Sequence, residues 1–386
     1  MSRTGYASLP LHGGNAPSWL TGRMQKLAKE VSSIIIDECG VDAFLARLSD
    51  PFWFQALGCV LGYDWHSSGV TTVVTGVLKT ALSAENHGLV VCGGKGKTSR
   101  KTPSEIAQVA EEFGFSEDKT QSLVYASKMA AKVDNAAIQS GYQLYHHAFF
   151  VTENGKWTIV QQGMSAADKT ARRYHWLSDA VRSFVEEPHS AIVCDTARPT
   201  VLNMTAPESQ GSRKASVDLS KEPTRKLIHL AENSTPPKER NQQSLHQWLP
   251  TSKSGEDRKL AFLDMPRNIN WTALSEAYEL QPSNYEELLN ISGVGPATVR
   301  GLALIAELVY GEEPSWKDPV KYSFAFGGKD GVPYPVNRAA MDESIQILKD
   351  AVQSAKMGDE EKVRALEGLR RFVAKDAKAL KTVTTT

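Results

Sequence analysis

Leu288-Leu-Asn-Ile-Ser-Gly-Val-Gly-Pro-Ala-Thr-Val-Arg-Gly-Leu-Ala-Leu-Ile-Ala-Glu-Leu-Val-Tyr-Gly311 reads as two apolar helices closing on a tight Gly-Val-Gly turn. Gly293 and Gly295 reach backbone angles closed to other residues. A turn that opens straight into a helix presents unpaired N–H groups, which a phosphate oxygen can accept. Pro296 suits the first helical position, where its missing N–H is not needed. Val294 is expected to pack inward, and Val299, Leu302, Ala303 and Ala306 form an apolar face for a neighbouring helix.

This pattern resembles a helix-hairpin-helix, a motif that holds nucleic-acid backbone and reads few base edges. The expected DNA-contacting residues are Gly293, Val294, Gly295, Ala297, Thr298 and Arg300, with Lys321 and Lys329 from the following loop. The bland alternative is an ordinary helical hairpin with a glycine turn.

Outward from the hairpin the fold class reads as α+β. Residues 259–386 read as a mainly helical domain, with a charged helix near Asp359–Leu380. Residues 204–258 are rich in Ser, Pro, Lys, Glu and Gln and read as a polar flexible linker, apart from a short helix near Lys221–Glu232. Residues 1–203 read as a mixed domain with helices around Trp19–Ile36, Val41–Leu48, Val70–Leu82, Pro103–Phe113 and Asp118–Gln139. Within it, Asn154-Gly155 joins two β-rich runs into a hairpin. A helix over roughly Ala166–Val185 is expected to follow.

The 386 residues carry 44 basic and 44 acidic side chains, so any nucleic-acid surface must be a local patch. Cys39, Cys59, Cys92 and Cys194 lack the spacing of a zinc site or a disulfide framework. The N-terminal residues lack the apolar core of a signal peptide, and no uncharged run approaches a bilayer span. The expectation is a cytoplasmic, nucleoid-associated protein without a membrane partner.

Several further motifs lie along the chain. They are Thr4-Gly-Tyr-Ala-Ser-Leu-Pro-Leu-His-Gly-Gly14, Gly62-Tyr-Asp-Trp-His-Ser-Ser-Gly69, Val160-Gln-Gln-Gly-Met164, Ala171-Arg-Arg-Tyr-His-Trp176, Tyr322-Ser-Phe-Ala-Phe-Gly-Gly-Lys-Asp-Gly331 and Pro333-Tyr-Pro-Val-Asn-Arg338. Together they resemble the domain of unknown function 763 family of archaeal and bacterial proteins, over nearly the whole chain. The resemblance supplies no activity. One departure is Asn337, where relatives are expected to carry Asp. The linker also looks longer and more polar than the resemblance implies.

His12, Asp64, His66, Gln161, Arg172, Arg173 and His175 are the candidate catalytic residues of the N-terminal domain. If the fold gathers them, Asp64 and His66 offer metal-ligand or general-base capacity, beside Arg172 and Arg173 suited to a phosphate. A divalent Mg or Mn ion is the expected cofactor. The bland alternative makes the histidines backbone-bonded core residues. Leu89–Thr98 looks like a strand entering a phosphate loop, but Val91 stands where the first Walker glycine belongs, so no nucleotide cofactor is expected. Lys95, Lys97, Arg100 and Lys101 read instead as a mobile cationic loop able to meet DNA. Pro335-Val-Asn337 resembles the segment where helix-hairpin-helix glycosylases place a catalytic Asp, but Asn cannot activate water as a carboxylate does.

The sequence thus points to a DNA-processing protein, a metal-dependent nuclease acting in repair or recombination on duplex or branched DNA. The alternative is a non-catalytic DNA-binding adaptor for repair or recombination proteins. A homodimer is left open.

Overall fold

The computed structural model describes residues 18–63, 68–194, 197–233, 265–320 and 338–370. Its centre is a five-stranded antiparallel sheet of order β1-β3-β4-β5-β6, built from Leu89–Lys95, Gln143–Thr152, Trp157–Ser165, Thr170–Leu177 and Ala191–Cys194. Strand β2, Ile138–Gln139, pairs separately with β7, Leu202–Asn203. The mixed α+β class is as the sequence indicates.

Alternating side chains fill two cores, because successive residues of a strand face opposite ways. Leu89, Val91, Ala148, Phe150 and Val160 pack against α1 (Ser18–Cys39), α2 (Val41–Ser49), α3 (Pro51–Val60) and α4 (Gly69–Ala81). Leu348, Val352 and Leu369, from the C-terminal helices 338–354 and 359–370, join the same core. Cys92, Phe149, Val151, Ile159, Tyr174 and Trp176 pack on the other face under α6 (Thr102–Phe113) and α7 (Glu117–Lys132). That core continues without a break into the glycine-turn helices, including Leu288, Leu302 and Ile305.

Local chemistry fixes the ends of these elements. Asp50 caps α3 by accepting from the amides of Phe52 (2.7 Å) and Trp53 (3.2 Å), with Pro51 in the first turn. The Asn154-Gly155 hairpin forms as expected, Gly155 taking φ 70° and its amide reaching the Thr152 carbonyl at 2.8 Å. Gly93 sits at φ 87°, where a Cβ would come within 2.3 Å of the His147 carbonyl oxygen.

Three expectations change. The predicted helix at 166–185 is a turn followed by strand β5, because both faces of Thr170–Leu177 are buried and no apolar alternation is left to read. The predicted linker is ordered over 204–233: besides the short helix expected near Lys221–Glu232, here α9 (Thr224–Asn233), it holds α8 (Gln210–Ser220), and the two bury Leu219, Leu227 and Ala231. Residues 234–258 lie outside the described residues. The cationic segment Gly96–Lys101 is a short 3₁₀ turn leading into α6, rather than a loose loop.

Arg172 anchors the C-terminal part of the chain. Its guanidinium donates twice to Asp318, at 2.9 and 2.6 Å, and lies 4.8 Å from the centre of the Tyr142 ring. Asp318 also accepts from the Arg198 amide at 2.6 Å. Both charged side chains are buried, 0% and 3% exposed, so removing one strands the other. Asp318→Ala is expected to cost about 3–5 kcal/mol in denaturant unfolding. The paired Arg172→Met/Asp318→Leu variant should recover much of that loss; equal stability of Asp318→Ala and the parent would refute the anchor role.

Candidate functional site

Two polar clusters and one exposed turn hold the chemistry-bearing residues of the described chain. The first cluster lies under α7 and is closed. The π-helical turn Val133–Ala137 drives Asp134 into the core, where Oδ2 accepts from Gln161 Nε2 (2.6 Å) and Trp176 Nε1 (3.1 Å). Asp134 Oδ1 meets His189 Nε2 at 2.5 Å. Gln161 Oε1 accepts from His147 Nδ1 (2.7 Å), so His147 Nε2 is left to accept from the Ser127 hydroxyl (2.9 Å). Burial pushes the Asp134 carboxyl up, while the His189 charge and the donors around it pull it back. Burial lowers His147 to about 4. Asp134, Gln161 and His147 thus form a satisfied internal network, the usual condition for polar groups in a core.

The second cluster lies on the opposite face, under α4. A β-bulge between Leu144 and His146 gives β3 one extra residue, Tyr145, and re-aims the strand. Gln162 Nε2 donates to the Ser68 carbonyl (2.8 Å) and to the Tyr145 hydroxyl, and its Oε1 accepts from Thr71. The Thr75 hydroxyl donates to the Thr71 carbonyl at 2.8 Å, so at 2.9 Å it accepts from His146 Nε2. His146 Nδ1 then carries a lone pair that is buried and has no partner among the described residues. Burial, with smaller contributions from His147 and Lys95, lowers His146 to about 3, so the ring is neutral.

The candidate catalytic residues among the described ones do not gather in one pocket. Arg172 and Arg173 are strand neighbours and point to opposite faces, so the expected two-arginine phosphate clamp is absent. Arg173 is buried on the α3 side, donating to Gln55 (3.3 Å) and the Pro51 carbonyl (3.4 Å), with Phe54 4.7 Å beneath it; burial lowers it to about 9. His175, on that same face, donates Nδ1–H to the Leu48 carbonyl (3.1 Å), and burial holds it well below its ordinary value. Gln161 belongs to the closed network on the other face. His12, Asp64 and His66 lie outside the described residues, as do Lys321, Lys329 and Asn337. Among the described residues no group of 3 or more His, Cys, Asp or Glu could hold a metal ion. Asp134 and His189 were not expected from the sequence, where only the pair His146-His147, flanking the hairpin with Gln161-Gln162, stands out.

The exposed turn joins α11 (Tyr285–Asn290) to α12 (Pro296–Tyr310), after α10 (Trp271–Leu280). Its carbonyls point inward. Lys132 Nζ donates to the Ile291 and Val294 carbonyls, each at 2.9 Å, and Asn270 Nδ2 donates to Gly293 at 3.3 Å. Val294 is buried as expected, while Ser292 and Gly293 are exposed. The amides of Gly293, Gly295 and Ala297 make no hydrogen bond among the described residues. Thr298 is not available to a ligand: it is buried, and its hydroxyl accepts from the Asn270 amide (3.2 Å).

The turn shares one end of the sheet with the cationic segment. Helix α7 starts beside the β3–β4 hairpin, where Lys119 packs over Gly155, and ends at Lys132 on the turn. Lys95, at the far end of β1, pairs with His146 near that same end. Lys95, Lys97, Arg100 and Lys101 are all exposed and make no ion pair among the described residues.

Fold and site together define an α+β protein with two buried polar clusters, only one of them fully bonded, and an exposed cationic segment. The family model described as Protein of unknown function (DUF763) matches residues 5–336, and the chain belongs to that family. No curated protein and no solved structure matches it. No helix among the described residues is long and apolar enough to cross a membrane.

Because His146 is neutral when folded and protonates near 6.5 when unfolded, the unfolded chain binds more protons below pH 6.5. Stability from this group is full above that value and is lost as pH falls toward about 3. His146→Gln, which keeps a donor for Thr75, should flatten the fall between pH 6 and 4 by about 1.4 kcal/mol per pH unit. Parallel slopes for parent and variant in urea unfolding would contradict the neutral, buried ring.

Proposed function

We propose that the chain is a DNA-binding protein of repair or recombination. Its turn Ile291–Gly295 acts as a helix-hairpin-helix that grips the phosphate backbone without sequence preference. The observation that carries this reading is the polarity of the turn: its carbonyls at Ile291, Gly293 and Val294 are tied by Lys132 and Asn270, and the amides of Gly293, Gly295 and Ala297 are left without a hydrogen bond among the described residues at a helix N-terminus. A phosphate there gains several N–H donors and the positive end of a helix. Lys95, Lys97, Arg100 and Lys101, on the same end of the sheet, supply the charge that a neutral chain otherwise lacks. Duplex or branched DNA fits such contacts, since neither group reads bases.

A second reading, metal-dependent phosphodiester hydrolysis with Mg or Mn, is favoured by one observation. His146 Nδ1 is an unprotonated, buried and unpartnered nitrogen, in a cluster that includes Ser68 at the edge of the Asp64–His66 segment. A neutral imidazole nitrogen is a metal-ligand or acceptor atom. In this reading Asp64 and His66 supply the remaining ligand or base capacity. The other candidates, Gln161, Arg172 and His175, act as structural residues.

Gly293→Val places a branched side chain at φ 79°, with its Cβ 2.6 Å from Asn270 Nδ2. It should abolish duplex retention in a gel-shift assay while circular dichroism keeps the parental spectrum; undiminished binding by the folded variant would overturn the grip. Lys97→Gln/Arg100→Gln/Lys101→Gln should lower the slope of log affinity against log salt by about 0.9 for each phosphate that the variant no longer neutralises. An unchanged slope would remove the cationic segment from the interface. For the second reading, labelled single-stranded, duplex and branched DNA are incubated with Mg²⁺, Mn²⁺ or EDTA. Cleavage that needs metal and is lost in Asp64→Ala/His66→Ala would establish a nuclease, and binding without cleavage would leave the adaptor.

A further inference from the structure

Helix α7 carries Thr120, Gln121, Val124, Tyr125 and Lys128 on one face, at the i, i+3 and i+4 spacing of helical neighbours. With Asn290, the last residue of α11, these side chains line an open groove of about 500 Å³, a volume in the range of small-ligand sites. Asn290 leads directly into the turn Ile291–Gly295, and Lys132, one helical turn beyond Lys128, holds two of that turn's carbonyls. The groove and the turn are therefore immediate neighbours.

The Tyr125 ring is fixed in place. Its hydroxyl donates to Glu286 Oε1 at 2.6 Å, and the ring lies 5.7 Å from that of Phe184, edge to face at 88°. Phe184 in turn stacks on Trp157, 6.2 Å away at 14°. An aromatic side chain held this way loses little freedom when a flat group packs against it. Around it the groove offers Val124 as an apolar wall, with Gln121 and Asn290 as exposed carboxamides that both donate and accept. Lys128 is exposed and makes no ion pair among the described residues.

We propose that this groove receives an unpaired nucleobase from a strand that leaves the duplex held at the turn. The inference rests on the DNA-binding reading and narrows its substrate to DNA with a single-stranded branch. A base has two flat faces and a rim of donors and acceptors, which an aromatic ring and carboxamides match. The Glu286 carboxylate beside Tyr125 repels a phosphate from that end of the groove and suits an exocyclic amino group, which donates to it. Lys128, toward the turn, is the cation for the phosphate that links the unpaired base to the duplex. A base inside a duplex keeps both faces stacked and shows only its groove edges, so a blunt duplex cannot use the site. Every base has a stacking face, so the groove tolerates any of the four.

The test measures fluorescence anisotropy of the full-length chain with three labelled DNAs at one salt concentration: a blunt duplex, the same duplex with a single-stranded arm, and the arm strand alone. The parent is expected to hold the armed duplex at least about tenfold more tightly than the blunt one, the scale of one stacked base. Tyr125→Ala should remove that difference and leave the affinity for blunt duplex unchanged, whereas Tyr125→Phe, which keeps the ring, should retain it. Gln121→Ala/Asn290→Ala changes two exposed positions, leaves the aromatic packing alone, and should also reduce the preference. Equal affinity of the parent for armed and blunt duplex, or an undiminished preference in both the Tyr125→Ala and the Gln121→Ala/Asn290→Ala chains, would overturn the groove assignment and leave the grip of the turn. Binding of the arm strand that is lost in Tyr125→Ala, by a chain that does not hold blunt duplex, would establish the groove and refute the grip. Absence of binding to all three DNAs would overturn both.

Discussion

Strand β4 is covered on both faces, and much of the molecule follows from the need to satisfy its polar groups there. Gln161 and Gln162 are adjacent, point to opposite cores, and are each 0% exposed. An unbonded carboxamide so placed would cost on the order of 1–3 kcal/mol, so each core must bring donors and acceptors to it. On one side the answer is Asp134, carried by a π-helical turn and shared with Trp176 and His189. On the other it is Thr71, Tyr145 and the Ser68 carbonyl, reached through a bulge in β3. The π turn also ends α7 in position, with Lys132 at the carbonyls of the glycine turn. The glycine turn is therefore tied to the sheet through the end of α7.

The readable parts of the sequence were those whose signal is local. The Gly293-Val294-Gly295 turn, the Asn154-Gly155 hairpin and the amphipathic helices α1, α2, α4, α6 and α7 each announce themselves within a few residues. Strand β5 did not, since Arg172, Arg173 and His175 are polar residues buried by partners far away in sequence: Asp318, Pro51 and Leu48. Helix α8 was hidden for a related reason. It buries Ser212, Ser216, Ser220 and Arg213 beside a few aliphatic side chains, so its composition is that of a linker, whereas the short helix expected near Lys221–Glu232 is α9. Arg213 is held by the Met204 and Ala206 carbonyls and by Glu186, none of which periodicity can reveal.

The same blindness shaped the reading of the site. Histidines, glutamines and arginines set among aromatics suggest chemistry, yet in a sheet covered on both faces these residue types also serve as internal connectors. Hydrogen-bond accounting separates the two uses. Gln161, His147 and Arg172 have their carboxamide, ring or terminal guanidinium nitrogens engaged by named partners, and what they do is hold elements together. His146 differs by one atom, because a neutral ring bonded through Nε2 keeps an unshared Nδ1 pair inside the protein. His175 Nε2, on the same face and bonded only through Nδ1 to the Leu48 carbonyl, is likewise buried without a partner among the described residues.

On the proposed DNA-binding reading, backbone contacts from a few amides and a handful of lysines and arginines would give weak, salt-sensitive attachment, and the zero net charge of the chain adds no long-range pull. The two contributions would then differ in kind: unbonded amides of the glycine turn donate to a phosphate whatever the base sequence, while Lys95, Lys97, Arg100 and Lys101 make the attachment depend on salt. Both depend on α7, which runs from the β3–β4 hairpin to the turn and ends with Lys132 on the turn carbonyls at the end of the sheet where Lys95 pairs with His146.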